Sequence, residues 1–224
     1  WNNAVGGIST SGLMSHFTGT VHSKFYTELL QAMADRNEGP GKGKIVPTID
    51  PEQLKGVYLD MLRDAGVTVL LYTFVCGVVM DGNRITGVIT ESKSGRRVFS
   101  AKVFVDGTGD GDVAAFAGVP YYKGRETDGK MQPCTLMFKV GGVDTDRAVF
   151  LGSFESTYQT ENGELQALAK QHIPYPAGHL LVYPSTLPGI ITCNMTNITE
   201  IDGTKAEDLT RAEITARQQM PEIV

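Results

Sequence analysis

The sequence predicts an α/β fold in two parts, and three observations carry that expectation. A capped amphipathic helix over 50–66 runs directly into the apolar segment VTVLLYTFV at 67–75, the order expected where a helix feeds a strand buried on both faces of a sheet. Strand-like segments follow, broken by the turns Asp81-Gly82-Asn83 and Ser94-Gly95, and read as a three-stranded antiparallel meander over about 75–102. VFV at 103–105, expected to be a second buried strand, then meets a Gly-rich turn and a helix-like stretch. That order brings backbone amides to a phosphate or ribose. Residues 1–119 form the first part and 120–224 a second, α+β region.

Each element has a local cause. GGISTSGLMSHFTGT at 6–20 mixes Gly with small hydroxyl residues without periodicity, and reads as a loop whose exposed amides and hydroxyls suit a polar ligand as well as they suit a flexible terminus. Ser23 is placed to cap a helix whose positions Phe25, Leu29, Leu30 and Met33 recur at helical spacing and which stops before Gly39. In GPGKGK at 39–44, Ile45 follows Gly43-Lys44 where a phosphate-binding loop needs Ser or Thr for magnesium, so a P-loop is excluded. Asp50-Pro51-Glu52-Gln53 announces the next helix, with Leu54, Val57, Tyr58, Met61, Leu62 and Ala65 on one face and Gly66 as its left-handed stop. In the second region TLMFKV at 135–140 and HLLVYP at 179–184 read as strands and ELQALAKQ at 164–171 as a helix. Thr204-Lys205-Ala206-Glu207 reads as a capping box opening a last helix through about Gln219, with Pro221 near its end. No internal repeat is present.

Composition narrows the function classes. A chain of 224 residues with 41% hydrophobic and 20% charged residues is long enough for a substantial core. It contains no run near the ~18 apolar residues of a membrane span. Twenty Lys and Arg against 25 Asp and Glu give a net charge of -5, which excludes the basic footprint of a nucleic-acid binder. Cys76, Cys134 and Cys193 are dispersed, form neither a zinc ligand pair nor a disulfide framework, and point to a reducing, cytoplasmic compartment. The opening WNNAVGGIST has no initiating Met, basic region or apolar core of a leader, so the chain is expected to begin after processing or inside a longer protein.

The most informative stretch is DGTGDGDVAAFAG at 106–118. Asp106, Thr108, Asp110 and Gly111 match positions of a calcium loop, but the twelfth position is Ala117 in place of the bidentate Glu. A purely structural turn would use Gly for positive φ and Asp112 as helix cap. A nucleotide site would use the three glycines for close approach and a carboxylate for ribose or ribityl hydroxyls. The histidines at 16, 22, 172 and 179 have no partner at metal or nucleophile spacing, no metal site is expected, and no GxSxG elbow or HExxH helix is present. His16 gains interest from its Gly/Ser-rich setting. Arg125 and Glu126, in YYKGRETDGKMQP, suit either an anionic substrate or a solvated charged loop. The acceptor patterns at Asn194 and Asn197 are short enough to arise by chance and are assigned no function.

The succession GGISTSG, DPEQLKGVYLDMLRDAGV and VFVDGTGDGDVAAFAGVPYYKGRETDGKMQPCTLMFKVGGVD resembles the FAD-dependent oxidoreductases whose flavin domain is of the glutathione-reductase type. The resemblance runs from about Gly6 to the C-terminus and is most specific over 101–140. It implies an incomplete FAD/NAD(P)-binding Rossmann-like domain followed by a substrate domain, and an enzyme in which bound FAD exchanges a hydride with a small-molecule substrate. Carried over by position, Gly6 and Gly7 would lie near the flavin, with Thr10 and Ser11 offering hydroxyls. The backbone of Val75 would meet the adenine, and Thr108, Gly109 and Asp110 would form the turn beside the dinucleotide. His16 and Arg125 would contact substrate. No GxGxxG segment precedes Gly6 and no closing segment follows the last helix, so an inactive fragment that holds FAD weakly or not at all, with unpaired strand edges favouring self-association, is expected. Two other classes are a cofactor-free binding or scaffold module, which the absent GxGxxG favours, and a polysaccharide lyase or hydrolase, for which Tyr121, Tyr122 and Arg125 are too sparse a cluster.

Overall fold

The computed structural model describes residues 3–19, 22–37, 43 and 48–224; most of GPGKGK and the Lys44-Ile45 pair lie outside the described residues. In chain order the elements are α1 (Lys24–Arg36), α2 (Pro51–Asp64), β1 (Phe74–Asp81), β2 (Arg84–Glu91), β3 (Arg97–Phe99), α3 (Asp112–Phe116), β4 (Phe138–Val140), β5 (Gln159–Thr160), β6 (Gly163–Glu164), α4 (Leu165–His172), β7 (Val182–Pro184), β8 (Ile191–Cys193) and α5 (Ala206–Ile223). The chain forms two compact units. One comprises Trp1–Gly7 and Tyr58–Lys123, the other Ile8–Val57 and Gly124–Val224. Residues 8–57 thus join the C-terminal region, in contrast to a linear division at 119.

The first unit is built on the meander, with strand order β1-β2-β3 and antiparallel pairing throughout. A two-residue loop at Gly82-Asn83 joins β1 to β2, and the positive φ of 57° at Gly82 supplies the twist such a hairpin needs. α2 ends as its sequence dictates: the N–H of Val67 reaches the Leu62 carbonyl at 2.9 Å and that of Gly66 reaches Arg63, with Gly66 left-handed at φ 72°. The short α3 packs on β1.

Two strands expected here do not form. Residues 67–73 run without strand structure until β1, and Leu70 is 52% exposed; VFV is likewise unpaired, with Val105 91% exposed. Apolar, β-branched composition favours a strand only where neighbours supply ladder bonds and cover, and no strand among the described residues pairs with either segment. The meander therefore stands without the flanking buried strands of the expected Rossmann-like sheet. The architecture is a mixed helix and sheet structure with small antiparallel sheets.

The second unit has the larger core. In α1, Ser23 Oγ accepts the N–H of Tyr26 at 3.0 Å and Leu29, Met33 and Ala34 are buried, whereas Phe25, placed on the same expected face, is exposed. Asp50 Oδ1 accepts the N–H groups of Glu52 and Gln53 at 2.9 and 3.2 Å, so α2 begins at Pro51, with Leu54 fully buried. β4, β8 and β7 form an antiparallel sheet in that order, with Phe138, Cys193 and Val182 in one register row and Lys139, Thr192 and Tyr183 in the next. Alternation puts the first row on one face, where Ile191 and Met195 complete an apolar cluster, and the second row on the other. TLMFKV and HLLVYP each form strand only in their last three residues, and β8 and the β5-β6 hairpin lack a strong alternating signal.

The last helix starts near the expected place by a different device. Lys205 occupies the cap position without a side-chain bond, the Thr204 hydroxyl donates to Asp202 at 2.6 Å, and Asp208 accepts the Asp202 N–H at 2.8 Å. Thr204 therefore lies one residue before the cap position. α5 also continues through Pro221, beyond the expected Gln219. No helix among the described residues is long and apolar enough to cross a membrane.

Candidate functional site

The Gly-rich turn is a closed hydrogen-bonded unit organised by Asp106. One carboxylate oxygen accepts the Thr108 N–H at 3.1 Å and its hydroxyl at 2.6 Å; the other accepts the Ala114 N–H at 3.0 Å. Thr108 Oγ1 in turn accepts the N–H of Asp112 at 2.8 Å. Asp112 is therefore the first residue of α3 and not its cap, a correction to the structural-turn expectation: Asp106 and Thr108 satisfy the first amides from outside the helix. These bonds, chiefly the one from Thr108 and then those from the backbone, hold the Asp106 carboxyl below the usual carboxylate range.

Gly109 and Gly111 adopt φ of 94° and 76°, which β-carbon-bearing residues rarely do. Open space surrounds the Cβ positions of Gly107, Gly109 and Gly111. Among the described residues nothing accepts the N–H of Gly109 or Asp110 or binds the Asp110 carboxylate. The turn therefore divides labour. Asp106 and Thr108 are engaged within the turn as its frame, and Gly109 and Asp110 present a donor edge and an acceptor to solvent.

The other residues singled out in the sequence fall into both units. Gly6 and Gly7 have positive φ of 104° and 53° and belong with the first unit, as does Val75, which pairs with Thr90 on β1, the edge strand of the meander. Thr10 and Ser11 belong to the second unit. Gly7–Ser9 form a 3-10 turn, Met14 N–H reaches the Ile8 carbonyl at 3.1 Å, and a Cβ on Gly12 would lie 2.7 Å from the Ile8 Cα. The expected open loop is thus a tight coil in which Thr10 is fully buried and Ser11 exposed.

His16 makes a β-bridge with Thr48 and sets its ring edge-on against Tyr183. Partial burial lowers its pKa. Tyr183 shares its sheet face with Thr192, whose fully buried hydroxyl, like that of Ser15 beside His16, has no partner among the described residues. Buried hydroxyls are normally bonded, so this polar face is one the sequence did not disclose. Neither Thr192 nor Tyr183 carries a motif. Only the pairing of β7 with β8 brings them beside one another.

Arg125 is held. Its guanidinium donates twice to Asp128, at 2.8 and 2.7 Å, which raises the pKa of the arginine and lowers that of the carboxylate. The loop closes on itself through the Arg125 N–H to Lys130 carbonyl bond at 3.0 Å, and a Cβ on Gly124 would collide with the Gly129 carbonyl oxygen. Lys130 pairs with Glu200 at 2.7 Å. Among the described residues no group of three His, Cys, Asp or Glu is placed to hold a metal ion.

Against known proteins, the family described as FAD dependent oxidoreductase matches over residues 2–224. Among solved structures, the L-proline dehydrogenase from P. horikoshii is similar at 17% identity and a TM-score of 0.38, over 80% of this chain and 41% of that one. This chain thus spans less than half the length of that neighbour. No curated protein matches the chain.

Proposed function

The chain belongs to the FAD dependent oxidoreductase family, and from that premise we propose that its Gly-rich turn forms part of the flavin site of a two-electron oxidoreductase acting on a small molecule. The observation that carries this reading is the outward edge of the turn: free amides at Gly109 and Asp110 and a free carboxylate on Asp110, beside glycines with no neighbour to block close approach. Such an edge fits a cofactor rich in hydroxyl and phosphate oxygens. Bound FAD supplies hydride acceptance and delivery.

The chain's own residues have narrower tasks. Asp110 accepts from cofactor hydroxyls and the Gly109 amide donates, while Asp106 and Thr108 hold both in place. Gly6 and Gly7, with backbone conformations closed to most residues, let the chain pass close to the flavin, and Val75 offers the open edge of β1 to the adenine. Toward substrate, His16 contributes a neutral imidazole at pH 7, able to accept a proton. Arg125 receives an anionic group only by sharing its fork with Asp128.

The test is a flavin absorbance scan of the purified chain before and after denaturation, followed by FAD titration of the wild type and of Asp110→Ala. Uptake that the substitution weakens at least tenfold supports the assignment. Failure to take up FAD, or uptake indifferent to Asp110, overturns it.

A further inference from the structure

The face of the β4-β8-β7 sheet opposite its apolar cluster carries a polar row. Lys139, Thr192 and Tyr183 are paired across the three strands, so their side chains leave the same face, with Thr192 in the middle. Asn194 follows on that face, and its amide oxygen accepts the Thr135 hydroxyl at 3.0 Å. Among the described residues the Lys139 ammonium, the Tyr183 hydroxyl and the Asn194 amide nitrogen have no acceptor. The Thr192 hydroxyl is buried and equally without a partner. At the Tyr183 end stands the His16 ring, edge-on at 4.5 Å.

We propose that this row binds a small hydroxycarboxylate, with the carboxylate at Lys139 and a hydroxyl at the His16 end. Charge is the first argument: the unpaired groups are donors, no acidic side chain stands in the row, and an ammonium among neutral donors selects an anion. Burial is the second. A buried hydroxyl without a partner is destabilising, so Thr192 is kept at a cost that a ligand oxygen would remove. Reaching it takes rotamer changes at Lys139, which is exposed, and Tyr183, which is half-buried, of the kind common on binding. Position is the third. Lys139 and Tyr183 stand on the strands either side of β8, with backbones roughly 10 Å apart, a span for a small linear molecule. His16 is neutral at pH 7 because partial burial lowers its pKa, so a ring nitrogen accepts a hydroxyl proton. The proposal rests on the flavin reading only in making this molecule the substrate, since binding to the row needs no flavin.

The experiment is an amide NMR titration of the chain with D-gluconate, with D-glucitol, which lacks the carboxylate, and hexanoate, which lacks the hydroxyls, as controls. Saturable shifts at Lys139, Tyr183, Thr192 and Asn194 are expected with gluconate, and binding at least tenfold weaker with either control. Lys139→Met should weaken gluconate binding at least tenfold with the fold retained. Thr192→Val should weaken it at least fivefold while the melting temperature holds or rises, because the buried hydroxyl had no partner to lose. A residue serving the core alone would change the melt and leave binding untouched. The absence of saturable shifts with gluconate overturns the proposal, as does equal binding of either control, or undiminished binding by either folded variant. FAD uptake is read separately: gluconate binding without FAD uptake sinks the flavin reading alone, and FAD uptake without gluconate binding sinks this proposal alone.

Discussion

The imidazole of His16 stands edge-on to the phenol ring of Tyr183, centroids 4.5 Å apart and planes at 67°. The contact holds the histidine in a partly desolvated place where its charged form is disfavoured, so its folded pKa lies below the ordinary 6.5. A base with a depressed folded pKa binds fewer protons folded than unfolded. Its contribution to stability is complete above about pH 6.5 and is lost as pH falls through the lower folded value. An NMR titration of the His16 ring is expected to give a midpoint under 6.5, and His16→Gln to flatten that part of the stability profile. A midpoint at or above 6.5 contradicts the described packing.

The frame of the Gly-rich turn makes a second prediction. Thr108→Val keeps shape but removes both the donor to Asp106 and the acceptor for the Asp112 amide, so exchange protection at Asp112 and Ala114 should fall roughly 2- to 10-fold. Thr108→Ser should restore it. Because the Asp106 carboxyl is held below its ordinary 3.8, the turn stays formed from neutral pH down to that value and loosens only as pH falls through the lower folded pKa. Amide shifts of 106–114 that move between pH 5 and 7 would refute this.

Cys193 should resist alkylation. Burial raises its thiol from 9.0 to about 11, which leaves roughly a hundredfold less thiolate at pH 8 than an open cysteine carries. Iodoacetamide labelling read by peptide mass spectrometry is expected to reach Cys193 in denaturant and to pass it by in buffer. Prompt labelling in buffer would show that the apolar face of the sheet is open.

Leu54 and Leu59 lie on the same helix and should behave differently. Leu54 is 0% exposed, and Leu54→Ala should cost roughly 2–5 kcal/mol. Leu59 is exposed, and the same change there should stay within about 0.5 kcal/mol. Thermal melts of the two variants decide it.

Where structure follows from residues close in sequence, the sequence was legible. Ser23, Asp50 and Gly66 mark helix ends because each acts within three or four residues, and the meander is legible because its turns are short. VTVLLYTFV and VFV show the limit: local composition states a preference for strand, while strand itself needs a partner that composition does not name. Thr204 is not the cap because the helix starts one residue later, with Lys205 at the cap position. In the Gly-rich turn the left-handed backbone at Gly109 and Gly111 could be read from spacing. The framing role of Asp106 could not, since its second oxygen reaches Ala114, eight residues on. Thr192 and Tyr183 become neighbours only through strand pairing.

The internal bonding of Asp106 and Thr108 bears on kinetics. A loop that must first order itself around a ligand slows association and weakens affinity by the entropy of that ordering. Here the bends at Gly109 and Gly111 are already set by bonds within the segment. A ligand of this turn meets a surface of fixed shape, and differences in its affinity between variants at Asp110 will be carried by how fast it leaves.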